Sequence, residues 1–397
     1  MSAFLHGIEV KELDVGPRPI SGASASVIGL VGTAEVEDDG LEPNLPVLIP
    51  GTRKAIDKYF PIIEEKPAKK KDDKKDEEPA DGDDVFSENN TIRDALNGIL
   101  DQAGAMVVVV RAKSKKDEDI KNAIEALKGA ESIVNQTPRL LVAPGFSHKK
   151  AIRDKLAEVA AVQRGIAIVD GINDSDPDKV IQDNKANNDP RMYLVYPRVK
   201  VPCGDDLERL EPASARIAGV IVRSDTNRGY WFSPSNQNIS GISGTEFPVD
   251  FALDNPNSAA NRLNEGRVST IIHQNGYRLW GNRSTTADPK WTFISVRRTA
   301  DIINDSLLRA HLWAVDRNIT KTYVEDVTEG VNAFLRNLRK IGAIINGKCW
   351  ADPEINTWDQ VLQGKVTFDF DFTPPYPAEH ITFRSMMIND YIEEVFS

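Results

Sequence analysis

The sequence predicts a mixed fold: an α/β domain with a mostly parallel sheet flanked by helices, then an α+β domain, with an extended arm at each end of the chain. Three observations carry this. Between about residues 91 and 222, short apolar runs alternate with helical patterns, as βαβ units around a doubly covered sheet require. Beyond about residue 251 the rhythm changes to amphipathic helices and one strictly alternating strand. At both ends, a short segment of mixed apolar and charged residues stands apart from the rest. A length of 397 residues fits two or three domains at roughly 150 residues each. The expected division is an N-terminal arm over 1–25, the α/β domain over 26–255 with a charged insert at 64–90, the α+β domain over 256–388, and a C-terminal arm over 389–397.

The elements follow in order. Ile92, Leu96, Ile99 and Leu100 recur at helical spacing, and 106–110 is a five-residue apolar run. Ile120, Ile124 and Leu127 mark a second helix, 140–143 a short strand, 148–163 a helix, and 166–169 and 193–196 two further strands. Trp280, Trp291, Trp313, Trp350 and Trp358 are five of the six tryptophans and point to a second, aromatic-rich core. Residues 301–318 and 326–341 read as amphipathic helices, the second with Val327, Val331, Phe334, Leu338 and Ile341 on one stripe. Segment 365–373 alternates, with Val366, Phe368, Phe370 and Phe372 on one face and Thr367, Asp369, Asp371 and Thr373 on the other. Beyond the prolines at 374–377, Ile381 and Phe383 continue that alternation in an expected partner strand.

Charge and composition exclude several classes. With 60 acidic and 49 basic side chains, the net charge is −11, a poor match to nucleic acid. Hydrophobic residues make up 40%, enough for sizeable cores. No run reaches the roughly 18–20 apolar residues of a membrane span, and the first residues lack a signal-peptide pattern. Cys203 and Cys349 are too few for a disulfide framework, which fits a protein made in a reducing cytoplasm. The charge is also uneven. Residues 64–84 hold ten acids and six lysines with no large apolar side chain, as in a solvated or disordered insert. Residues 261–350 carry fourteen basic and eight acidic residues, and 351–397 carry two basic and nine acidic.

Candidate chemistry fails on its own spacing. The run from Gly342 to Cys349 is one residue short of a phosphate-binding loop, and Cys349 stands where Ser or Thr would hold magnesium. Because a helix precedes it, Gly342 is expected to terminate that helix. Asp174, Asp176 and Asp178 open like a calcium loop, but Lys179 and Lys185 occupy the required glycine and glutamate positions. The five histidines are scattered, and no metal site, cofactor site or catalytic group is expected. Arg336, Arg339 and Lys340 close a helix that opens with Glu325, Asp326 and Glu329, which either complements the helix dipole or forms a binding face.

The two ends read as exposed strands. Residues 7–12 alternate around Ile8 and Val10, and the following Gly16, Pro17 and Pro19 cannot continue a ladder. Residues 391–396, with Ile392 and Val395, form a second short strand. Such strands must pair with a sheet edge, either their own or a neighbouring copy's.

Several segments, in order along nearly the whole chain, resemble the tail sheath proteins of contractile-tailed bacteriophages and the related R-type pyocin sheaths. They are His6–Val10 with Gly16–Ile20; Val27–Ala34; Met106–Arg111; Asn261–Glu265; Leu279-Trp280-Gly281-Asn282-Arg283 with Trp291–Arg298; and Phe368–Pro375 leading into Pro377-Ala378-Glu379. Ser284, where Thr is expected, and the long insert depart from that pattern. The resemblance implies a structural, non-enzymatic subunit that polymerises helically around a tail tube and contracts to drive the tube through the bacterial envelope. Its implied partners are other copies of itself, the tail tube protein, and baseplate and tail terminator proteins, with neither nucleic acid nor membrane insertion. Its implied place is the virion tail, assembled in the host cytoplasm. Carried over here, Ile8, Val10, Ile392 and Val395 lie on exchanged strands. Phe368, Phe370, Ile381 and Phe383 lie in the receiving sheet, Gly16, Pro17, Pro19 and Gly22 form the arm hinge, and Arg336, Arg339 and Lys340 are expected to face the tube. Another self-assembling tube or shell, or a nucleotide-dependent α/β enzyme, are the alternatives.

Overall fold

A computed structural model describes residues 20, 22, 24–34, 41–60, 90–203, 207–388, 391 and 395. The expected N-terminal arm with Ile8 and Val10, the hinge residues Gly16, Pro17 and Pro19, the charged run at 64–84 and Ile392 lie outside the described residues.

In chain order the described elements are β1 (Ile28–Gly32), β2 (Val47–Ile49), α1 (Arg53–Tyr59), α2 (Thr91–Leu100), β3 (Val107–Arg111), α3 (Asp117–Ala126), α4 (Ala130–Val134), β4 (Leu140–Val142), α5 (Lys150–Val162), β5 (Ile166–Asp170), α6 (Pro177–Asn184) and β6 (Met192–Tyr196). They continue with β7 (Val199–Pro202), β8 (Glu208–Glu211), α7 (Ala213–Arg228), β9 (Gly244–Thr245), α8 (Ala259–Glu265), β10 (Ser269–His273), β11 (Tyr277–Trp280), α9 (Ile294–Ala310), α10 (Lys321–Lys340), β12 (Asn346–Trp350), α11 (Trp358–Leu362) and β13 (Asp369–Thr373).

Strand side chains point alternately to opposite faces, and here both faces are apolar. Ile28, Leu30, Val107, Val109, Leu140, Val142, Ile166 and Ile168 enter one core with α2 and α7. Their neighbours Val31, Val108, Val110, Leu141, Ala167 and Val169 enter the other with α3 and α5. The result is an eight-stranded sheet in the order β11-β10-β6-β5-β4-β1-β3-β2. It is parallel from β10 through β6, β5, β4 and β1 to β3, and β2 and β11 are antiparallel edges. The expected mostly parallel, helix-flanked sheet is therefore present. A three-stranded β8-β7-β9 sheet lies beside it.

Four expectations change. Strands β10 and β11 join the large sheet, so the break expected at residue 256 does not fall at the edge of that sheet. Helix α9 begins at Ile294, not 301, and ends at Ala310. Its buried face carries Arg298, Asp301 and Asp305, so an apolar stripe could not reveal its first turns. The five tryptophans do not make one core, and Trp358 is 72% exposed. The second core is instead Ile303, Val331, Phe334, Leu335, Leu338 and Ile344 with Phe368, Phe370, Phe372 and Trp231 packed on it. Finally, Ile381 and Phe383 form no strand, and the partner of β13 is β12. Ile381 and Phe383 are both exposed, so their alternation buries no face within this chain.

Candidate functional site

Helix α10 organises the C-terminal portion. Thr320 caps its start by accepting from the Tyr323 N–H at 3.2 Å. At its end Gly342 takes a left-handed φ of 81°. The Gly342 N–H donates to Arg339 and the Ala343 N–H to Leu338, the paired bonds of a Schellman turn. The expected glycine stop is thus in place, and the phosphate-loop pattern is a helix end followed by a strand. Val327, Val331, Phe334, Leu335 and Leu338 are buried on one face, against β12 and β13. On β13, Phe370 and Phe372 lie on the same side with their rings stacked 6.1 Å apart. Residues 366–368 stop short of the ladder because the Asn356 amide binds both the N–H and the C=O of Thr367.

The β12–β13 sheet has only these two strands, a size that is marginal without support. Its two edges differ. On β12, the Asn332 side chain accepts from the Cys349 N–H at 2.8 Å and donates to its C=O at 3.0 Å, satisfying that residue's backbone on the side away from β13. Beyond β13, no strand among the described residues pairs. Asn332 was not visible as functional in the sequence, since only its partner's backbone gives it a role.

Helix α9 joins the two portions through charge. Arg298 forks onto Asp225 of α7, with one bond at 2.8 Å. Asp301 takes Arg191 and Arg297, each with a bond at 2.8 Å. Asp305 takes Arg139 and, at 3.0 Å, Arg309. Arg139, Asp225, Asp301 and Asp305 are nearly solvent-free, so each of these four buried charges depends on its partners. This redistributes the basic segment read from the sequence. Arg262, Arg283 and Arg298 answer Asp178, Glu379 and Asp225, all outside residues 261–350, so a segment count overstates the charge facing outward. Arg336, Arg339 and Lys340 are exposed, although Arg336 pairs with Glu329.

The remaining predicted residues separate. Phe368 and Phe370 pack toward α10, so their backbone, not their rings, lies at the sheet edge. Ile381 and Phe383 are 66% and 92% exposed, and Val395 is exposed as well. Gly22 is exposed, with nothing within 4 Å of a Cβ built there. In the α/β portion, Asp176 caps α6 and Asp174 accepts from the Asp176 N–H, a surface turn. Among the described residues no group of three or more His, Cys, Asp or Glu is placed to hold a metal ion, and no helix is long and apolar enough to cross a membrane. At the carboxyl end of β5, buried Asp170 accepts from the hydroxyls of Ser147 and Ser214 and from the Ser214 N–H. Burial holds its pKa above the usual carboxylate value, against those hydrogen bonds. The adjoining cavity measures about 10 Å³, room for one water.

Comparison with known proteins agrees with this architecture. The sequence profile of the phage tail sheath protein central domain matches residues 114–285, and that of the phage tail sheath C-terminal domain matches 286–388. A prophage protein of Pseudomonas aeruginosa assigned as a major tail sheath protein is 36% identical, over 99% of both chains. The tail sheath protein of Burkholderia phage BcepMu is 30% identical over 98% of both. The anti-feeding prophage helical sheath in its contracted state has the same fold, with a TM-score of 0.71 at 20% identity over 98% of this chain and 100% of that one. A sheath complex of an extracellular contractile injection system, also contracted, gives 0.71 at 16% identity over 98% and 99%. The chain belongs to the phage tail sheath protein family and is a structural tail sheath subunit, not an enzyme.

Proposed function

We propose that copies of this chain wind helically around a rigid tail tube, linked by exchanged strands, and contract to drive the tube through the bacterial envelope. The α/β portion forms the outer layer, and the C-terminal portion with both arms forms the inner, polymerising layer. The observation that carries this reading is the two-stranded β12–β13 sheet with its open β13 edge. It sits in a chain whose last described stretch exposes Ile381, Phe383, Met386 and Met387. A neighbour's arm added at β13 satisfies the edge and buries such side chains. Residues 7–12 and 391–396 are the donated strands, and Gly16, Pro17, Pro19 and Gly22 let the first of them swing.

Ladder hydrogen bonds keep copies joined while rigid bodies rotate. Contraction needs no nucleotide if each subunit gains a few kcal/mol in the second lattice, because the gain repeats over every copy. Arg336, Arg339 and Lys340 meet acidic groups on the tube through individually weak, salt-screened contacts. Baseplate and tail terminator proteins bound the assembly, which forms in the host cytoplasm and resides in the virion tail. Deleting residues 1–13 should leave a folded monomer that forms no sheaths by negative-stain microscopy. Normal tubular polymers from that deletion would refute strand exchange at the N-terminal arm.

A further inference from the structure

We infer that Arg283 and Phe293 clamp the root of the C-terminal arm at Glu379 and Tyr376, so that the arm pivots only beyond residue 379. This rests on the strand-exchange reading above. Arg283 and Phe293 face each other across an isolated antiparallel bridge. Backbone bonds flank that bridge on both sides, from the Ile294 N–H to Asn282 at 3.1 Å and from the Ser284 N–H to Thr292 at 2.7 Å. The base is therefore rigid, and Gly281 beside it has a φ of 142° that L side chains rarely adopt.

From this base two side chains reach the same short run. The Arg283 guanidinium forks onto Glu379, with its Nε 2.8 Å from Oε1, the geometry that makes an ion pair directional. The Phe293 ring meets the Tyr376 ring edge-on, with centroids 6.3 Å apart. Between Thr373, where β13 ends, and Glu379 stand Pro374, Pro375 and Pro377, which fix their own φ angles and stiffen the strap. Past Glu379 every residue to 388 is exposed, with Met387 at 95%. Phe293 also immediately precedes α9, whose charges hold the α/β portion. The arm thus leaves from the joint between the two portions, and its departure direction moves with the whole subunit. An arm freed at this root would search a larger volume before meeting a neighbour's β13 edge, raising the entropic cost of each strand addition.

The test uses the full chain carrying Tyr376→Ala and Glu379→Gln. Melting temperature and circular dichroism report the fold. The electron paramagnetic spectrum of a spin label at Met386→Cys, in a Cys203→Ser background, reports arm mobility. The unlabelled variant's threshold concentration for polymer formation reports assembly. The expected result is an unchanged fold, a more mobile label, and a threshold raised at least tenfold. A label no more mobile than in the parent, or a threshold equal to the parent's, overturns the clamp. If the double variant loses its fold, Glu379→Gln alone is read by the same criteria, since both partners are about one-third exposed. A parent chain that never polymerises would overturn the sheath assembly reading, while label mobility would still decide the clamp.

Discussion

Asp305 illustrates how much rests on single carboxylates at the joint. It is buried and serves Arg139, also buried, together with the half-exposed Arg309. Removing it strands Arg139, and breaking a buried pair from one side costs about 3–5 kcal/mol. Asp305→Ala should therefore lower the unfolding free energy in urea by that amount, whereas Arg309→Ala should cost under about 1 kcal/mol. Asp94 adds a pH signature. Burial, the largest cause, raises its pKa from 3.8 to about 6 and outweighs Arg209, while Glu211 adds to the rise. The folded state then holds this proton more tightly than the unfolded chain does. Its contribution is full below about pH 4 and is lost as pH rises through 6, at about 1 kcal/mol per pH unit. Relative to the parent, Asp94→Asn should gain stability between pH 4 and 6 and stay level above about 7, as melting temperatures across that range would report.

At the scale of elements, α10 presents two faces with two duties. Its apolar stripe carries β12 and β13, and its last turns expose Arg336, Arg339 and Lys340. Reversing these three charges to Glu should leave polymerisation of the isolated chain intact and abolish co-assembly with tail tubes in a pelleting assay. Unchanged co-assembly would remove the tube contact from this helix. The stripe of α10, the glycine stop at Gly342 and the parallel strands β3, β4, β5 and β6 were legible because they follow simple apolar patterns and a local backbone demand, whereas β1 and β10 were not read as strands. The first turns of α9 were not, since its buried side is polar and paired with residues far away in sequence. Strand β12 was missed for a related reason: in Asn346–Trp350 only Cys349 is buried, so no alternation marks it. Arg283 and Glu379 both lay in segments that carried the family resemblance, yet 96 positions separate them and nothing local pairs them. The two arms read as strands in want of a partner, but residues 1–19 and Ile392 lie outside the described residues.

On the scale of the whole molecule, the protein divides its labour by where charge and apolar surface remain unanswered within one chain. The α/β portion buries its apolar surface within one chain: two cores on either side of a doubly covered sheet. Among the described residues, the C-terminal portion leaves the outer edge of β13 unpaired and exposes Ile381, Phe383, Met386 and Met387. Under the proposed strand exchange, such a surface and a complementary strand on each copy would make a head-to-tail contact, which propagates without closing when its rotation is helical. The most direct test is negative-stain electron microscopy of the purified chain as its concentration is raised. Short, wide, hollow, striated cylinders are the expected result. Discrete globules at every concentration would contradict it.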